Sequence, residues 1–270
     1  MACPRYQHHL STFHIDVCGI PVGGSFALQK AIDSKMKMKS HSGNEVTMTS
    51  TATAEMNVET PRLRFADFVV DEAASGRKRE RTEAAIVAAV CQILDHTPLS
   101  GLTIAEICSV AGVANGTFYL YFTDRSDLIG RALLRFVDFV QNTMRLAGRA
   151  AGGDRIWNAT ATYYDLVAAN PGLMRGLMNH SDDLPEATQA FQKLNHEWIT
   201  AVVASLRRRP AMAALPSDEL FRRAYALGGM IDQYLSALLL NRDPDLQRLS
   251  GDRDTTVNTL VALWKKGLLA

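Results

Sequence analysis

The sequence predicts an all-α protein. From Arg77 onward, apolar residues recur at helical spacing, alternating β-branched runs and two-residue hairpin turns are nearly absent, and glycines and prolines break the chain at intervals. Breakers fall at Pro98 to Gly101, Gly112, Gly152-Gly153, Asn170 to Gly172, Asp183 to Pro185, Pro210, Pro216, Pro244 and Gly251. They divide residues 77 to 270 into about nine helices: a three-helix N-terminal module, then a larger helical C-terminal domain.

Composition sets the frame for those helices. A chain of 270 residues, 47% hydrophobic, is long enough for one large or two small cores, and its net charge of +1 neither supports nor excludes a polyanionic partner. Four scattered cysteines do not read as a disulfide framework, which fits a reducing setting. No stretch approaches the roughly 20 apolar residues that span a bilayer, and the N-terminus lacks a signal-peptide pattern. A cytoplasmic protein without a membrane partner is expected. Residues 1 to 76 differ from the rest: "HSGNEVTMTSTATAEMNVET" is rich in Ser and Thr without an apolar period. That segment is expected to be a disordered extension, and Met36, Met38, Met48 and Met56 each offer an alternative start. Cys3, His8, His9, His14 and Cys18 lack the paired spacing of a zinc module, so no metal is expected.

The first helix of the N-terminal module spans about 79 to 96, with Ile86, Val90, Ile93 and Leu94 on one stripe until Pro98 forbids continuation. Ahead of it stands "RKRER", 77 to 81, centred on Arg79. Such a cluster reads either as solvated surface or as a contact with nucleic acid. The second helix begins with a capping-box pair, Thr103 and Glu106, flanked by the staple residues Leu102 and Ile107, and Gly112 is placed to end it in the left-handed conformation.

"GVANGTFYLYF", 112 to 122, then packs four aromatics into a helix expected from about Ala114 to Phe122. At 100° per residue Ala114, Phe118, Tyr121 and Phe122 share one side, Gly116 and Leu120 lie opposite, and Thr117 and Tyr119 flank them. The aromatics anchor a helix too short to hold itself together in water, while the small residues leave room for something large to come near. Two short helices joined by a glycine-containing turn describe a helix-turn-helix, or equally an ordinary corner in a helical bundle. A further cap pair, Asp124 and Asp127, opens a fourth helix with a stripe from Leu128 to Val140. Arg125 in its first turn opposes the helix dipole, a placement useful beside a phosphate.

The segment "LTIAEICSVAGVANGTFYLYFTDRSDLI", 102 to 129, resembles the DNA-binding domain of tetracycline-repressor-like (TetR family) transcriptional regulators. The resemblance is strong over about 80 to 140, with the helix-turn-helix at 103 to 122, and implies contacts with double-stranded DNA. On it, Thr103 would meet a phosphate, Ala114, Asn115, Gly116 and Thr117 would lead the recognition helix into the groove, and Tyr119 would give its phenol to a phosphate. Leu120 would face the DNA, Arg125 would stand where the family commonly has a phosphate-binding lysine, and Arg79 joins the contact set. Ala114 departs from the usual Ser or Thr, which removes a cap typically worth about 1 kcal/mol; Asn115 is expected to shift the cap by one residue.

Residues 154 to 270 are expected to form a ligand-binding and dimerisation domain. Tyr163, Tyr164, Met174 and Met178, with Phe191, Trp198, Met230 and Tyr234, are candidates to line an effector pocket, though such a set also suits plain core. A homodimer interface is expected from the helices 217 to 240 and 252 to 268, through Leu227, Gly228, Ile231 and Leu235 on the first and Val257, Leu260, Val261 and Trp264 on the second. Arg175 is expected at the surface. No catalytic motif is present: "HSD" at 180 to 182 cannot converge as a triad, and "PVGGSF" lacks the lysine of a phosphate loop. Neither an enzyme nor a cofactor is expected. The function expected is a ligand-responsive repressor acting as a homodimer on a palindromic operator, with a small-molecule effector. A DNA-bound adaptor of the same fold, recruiting a protein partner without an effector, is the alternative.

Overall fold

Among the described residues every regular element is helical. A computed structural model describes residues 63–150, 152–178 and 185–269, and all of them belong to one compact unit, Thr60–Ala270. The metal-type residues Cys3 to Cys18, and His180, Asp182 and Asp183, lie outside the described residues. Among the described residues eleven α-helices run from Lys78 onward where about nine were expected, and a twelfth precedes them. The additional ones have a simple cause: Pro210 and Pro244 open the short helices Pro210–Ala213 and Pro244–Ser250, because proline suits the first turn, where its missing N–H costs nothing.

The N-terminal side begins with α1 (Phe65–Ala73), inside the segment expected to be disordered. That expectation is corrected for residues 65 to 73. Phe65 and Val69 are fully buried, and Phe65 stacks among Phe136 and Phe139 at ring-centroid separations of 5.3 and 5.5 Å. Buried Asn170 anchors its start: its Oδ1 accepts from the Phe65 amide at 2.8 Å, and its Nδ2 donates to the carbonyls of Leu63 and Leu166 at 2.7 and 2.9 Å. Six consecutive polar residues, Lys78 to Glu83, lead α2 (Lys78–Leu94), whose apolar stripe Ile86, Val90, Ile93 and Leu94 is buried as the spacing required.

The α3 (Ile104–Ala111) and α4 (Asn115–Phe118) helices follow, then α5 (Arg125–Arg149), capped by Asp124 through the Asp127 amide at 2.9 Å. Leu128, Ala132, Leu133, Phe136, Val137 and Val140 bury one whole face of α5, which makes it the shaft between the N-terminal module and the rest. The C-terminal half comprises α6 (Arg155–Ala169), α7 (Pro171–Met178), α8 (Pro185–Arg207), α9 (Pro210–Ala213), α10 (Ser217–Leu235), α11 (Pro244–Ser250) and α12 (Arg253–Leu269). A π-type turn, Ser236–Leu240, ends α10.

Helices α10 and α12 pack against each other, and α12 packs against α6, all within the same chain. Leu235, Val257, Leu260, Val261 and Trp264 are each under 8% exposed, and Ile231 is 8% exposed. They hold these helices together inside the protomer: an apolar stripe marks burial, and the covering element here is the chain itself. Close approach occurs at Gly267, where a Cβ would lie 2.8 Å from Leu227 Cδ1, so Leu227 also packs inward.

Candidate nucleic-acid interface

Thr103 caps α3 by accepting from the Glu106 amide at 3.2 Å. Its own hydroxyl hydrogen remains to be donated outward from an exposed position. Gly112 ends the helix at φ +67°, and the amides of Val113 and Gly112 return to the carbonyls of Cys108 and Ser109 at 3.0 and 3.3 Å, the paired bonds of a Schellman motif. This turn re-aims the chain so that α4 starts at once. Cys108 is buried in the core beneath, and burial pushes its thiol upward from its ordinary range.

The recognition helix is shorter than its aromatic pattern suggested. Only Asn115–Phe118 is α-helical; Leu120 and Tyr121 then bond back three residues, to Thr117 and Phe118, at 3.1 and 2.9 Å. Ala114 is the N-cap and has no side-chain cap bond, so Asn115 does not shift the cap as expected. Phe118 and Phe122, buried and 5.6 Å apart, act as the anchor. Tyr121 is half-buried, and Ala114, placed on their side by periodicity, is exposed as the extended N-cap ahead of the helix.

The opposite side is open. Tyr119 is 59% and Leu120 71% exposed, and a Cβ built on Gly116 would meet nothing within 4 Å. An exposed leucine beside an exposed tyrosine, whose ring meets Phe118 edge-on at 5.3 Å, and a bare glycine make a small open surface.

Two arginines fix this surface. Arg125 Nη1 donates to the carbonyls of Ser100 and Leu102 at 3.1 and 3.0 Å. It clamps the entry to α3. Arg131, which sequence reasoning passed over, donates from Nη1 to the Tyr121 carbonyl at 2.9 Å, lies 4.6 Å over the Phe122 ring and pairs with Glu83. No local motif marks it, since the carbonyl it satisfies exists only once α4 has folded. Arg79 is exposed on α2, with its guanidinium 5.8 Å over the Tyr121 ring, so the basic cluster stands beside the recognition helix.

The C-terminal half contains a cavity of about 360 Å³ lined by residues of α7, α8 and α10 and by Ser236. Of the expected pocket residues, Met178 and Phe191 line it. The others have different places: Met174 is fully buried core, Tyr164 packs on Val257 and Val261, Tyr234 bonds Ser250 at 2.6 Å, and Trp198 and Met230 pack against the main core. Tyr163 lies behind the cavity wall and donates to Asp232 Oδ1 at 2.7 Å. Asp232, Asn195, Ile199, Tyr225, Gly229, Gln233 and Ser236 complete the lining without having been expected, and Gly228 lines it too. Burial raises the Asp232 carboxyl to about 6, against a lowering from the Tyr163 hydroxyl.

Helix α7 links this cavity to the N-terminal module. Met178 at one end lines the cavity; at the other, Gly172 meets the end of α2 so closely that a Cβ would lie 2.3 Å from Leu94 C and O. Arg175, expected at the surface, is half-buried, and its Nη2 donates to the carbonyls of Leu94 and Asp95 at 3.2 and 2.9 Å. It caps α2 with a cation at the negative end of the helix dipole.

The fold and this surface define a helix-turn-helix DNA-binding module carried on a helical C-terminal domain. Residues 86–132 match the family of bacterial regulatory proteins, tetR family. The chain is 25% identical over 190 residues, 67% of its length and 84% of the relative, to the HTH-type transcriptional regulator EthR of Mycobacterium tuberculosis. In fold it is similar to a tetR-family transcriptional regulator from Streptomyces coelicolor, at TM-score 0.58 and 16% identity over 70% of this chain and 80% of that one. It is similar also to the transcriptional regulator FadR from Bacillus subtilis in complex with stearoyl-CoA, at TM-score 0.53 and 17% identity over 68% and 97%. Residues 86–132 thus carry a TetR-family regulatory region, within a chain whose fold is similar to TetR-family transcriptional regulators.

Proposed function

We propose that this protein is a ligand-responsive repressor that binds a palindromic operator as a homodimer. The observation that carries the reading is the recognition surface: Tyr119 and Leu120 stand exposed around an open Gly116, on a helix anchored by buried Phe118 and Phe122. Thr103, Tyr119 and Arg79 would contact phosphates. Ala114, Asn115, Gly116, Thr117 and Leu120 would enter the major groove, and Arg125 would hold Thr103 in place. With few charged groups on that face, phosphate contacts supply much of the affinity. A second copy doubles the readout, since paired half-sites lie about one helical turn or a multiple apart. The outward face of α12, where Leu263 is 44% exposed, replaces the buried stripe as the dimer surface.

The half-open cleft between α7, α8 and α10 offers room for an effector, and the acyl-CoA complex of the FadR neighbour is a protein of this fold with a small molecule bound. Helix α7 supplies the coupling. A ligand that displaces Met178 would move the helix whose other end holds Leu94 and Asp95, changing the spacing of the two recognition helices. The test is selection of genomic fragments by the purified protein, with Tyr119→Ala as control. Enrichment of a palindrome by the parent alone supports the proposal; no enriched site at low or moderate salt refutes it.

A further inference from the structure

The cavity between α7, α8 and α10 carries an unusual charge arrangement. Among its lining residues only Asp232 and Tyr225 are ionisable, and none is a cation. Asp232 Oδ1 is held by the Tyr163 hydroxyl at 2.7 Å, and among the described residues no lysine, arginine or histidine pairs with it. A half-buried carboxyl without a counter-charge among the described residues is costly to ionise, which accords with its elevation to about 6. The rest of the wall divides by chemistry: Phe191, Ile199 and Met178 are apolar, while Asn195, Gln233 and Ser236 are neutral hydrogen-bonding groups.

We propose that this cavity takes a small organic cation, an alkyl or arylalkyl ammonium whose charge pairs with the Asp232 carboxylate while its apolar part lies against Phe191, Ile199 and Met178. The assignment deepens the ligand-responsive reading above and rests on it. Tyr225 presents an aromatic ring on the same wall, a surface that favours an ammonium by its quadrupole. An acyl anion would place like charges together beside Asp232, since the described lining residues include no cation and His196 reaches the site only through the Tyr225 hydroxyl, 3.3 Å from its Nδ1. The volume, about 360 Å³, is at the small end of ligand pockets and suits a compact organic molecule.

Titration calorimetry of the full chain at about pH 7.5, where a carboxyl titrating near 6 is ionised, would compare phenylbutylamine, phenylbutanol and phenylbutyrate. The three share an apolar body and differ in the charge of the head. Expected is an amine bound roughly tenfold or more tighter than the alcohol, with the acid weakest, and a preference that disappears in Asp232→Asn. Equal binding of amine and alcohol, tighter binding of the acid, or binding of none of the three overturns the assignment; each comparison is made on the parent protein, so it stands even where the variant fails to fold. A parallel measurement of operator release separates the two readings. Asp232-dependent amine binding that leaves operator affinity unchanged keeps the cation assignment and removes ligand-responsive repression. Operator release by the acid or alcohol alone keeps regulation and removes the cation.

Discussion

Adding one methyl group at each of two glycines tests whether the recognition surface is built for a partner. At Gly116 the methyl would meet nothing within 4 Å, whereas at Gly172 it would meet Leu94 backbone atoms at 2.3 Å. Gly116→Ala lies within a helix, where alanine is favoured by about 0.5 to 1 kcal/mol, so the free protein should gain roughly 1 to 4 °C in Tm. If the open side of Gly116 faces a groove wall, the same methyl overpacks that interface at about 1 to 3 kcal/mol, roughly 5- to 150-fold in operator affinity. Gly172→Ala should behave oppositely in the free protein, losing about 1 to 3 kcal/mol or more as α7 is forced off the end of α2. Thermal melts and fluorescence anisotropy on the selected operator measure both quantities. A more stable Gly116→Ala protein with unchanged affinity would refute the assignment of Gly116 to the DNA interface. A less stable one would refute the openness of that face.

Other perturbations separate the remaining roles. Tyr119→Phe should weaken binding to all DNA sequences alike and reduce the salt slope by about 1, as loss of a phosphate contact requires; altered sequence preference in the selection would contradict it. Gly112→Ala should cost about 1 kcal/mol or somewhat more in chemical unfolding, through the left-handed backbone at φ +67° and not through crowding, since no atom lies within 4 Å of its Cβ position. Phe65→Ala should cost about 3 to 5 kcal/mol because its ring is fully buried among Phe136 and Phe139, and an unchanged unfolding midpoint would count against α1 as part of the folded unit. The Asp232 carboxyl titrates near 6 in the native state and near 4 when unfolded, so the native state binds the proton more tightly. Its favourable contribution is full below about pH 4 and is lost as pH rises through 6, a difference of up to about 3 kcal/mol that water in the cavity reduces. Asp232→Asn should therefore gain stability relative to the parent between about pH 4 and 7; parallel pH profiles would show that the carboxyl is well solvated.

What the sequence determined by itself was local. Capping by Thr103 and Asp124, the left-handed glycine at 112, the buried stripes of α2 and α5 and the anchoring by Phe118 and Phe122 all depend on residues a few positions apart, so spacing and side-chain chemistry suffice to state them. Only the tertiary structure decided what each apolar face meets. A stripe such as Val257, Leu260, Val261 and Trp264 demands burial without naming its cover, and α6 and α10 of the same chain provide it. Phe65 and Val69 sit beside a segment without apolar period, and they fold because Asn170, more than a hundred residues away, satisfies the start of their helix. Arg131, Arg175 and Asp232 likewise gain their roles from backbone carbonyls, helix ends and a cavity that come into being with the fold, and desolvation, which gives Asp232 its character, is a property of surroundings that no sequence spacing encodes.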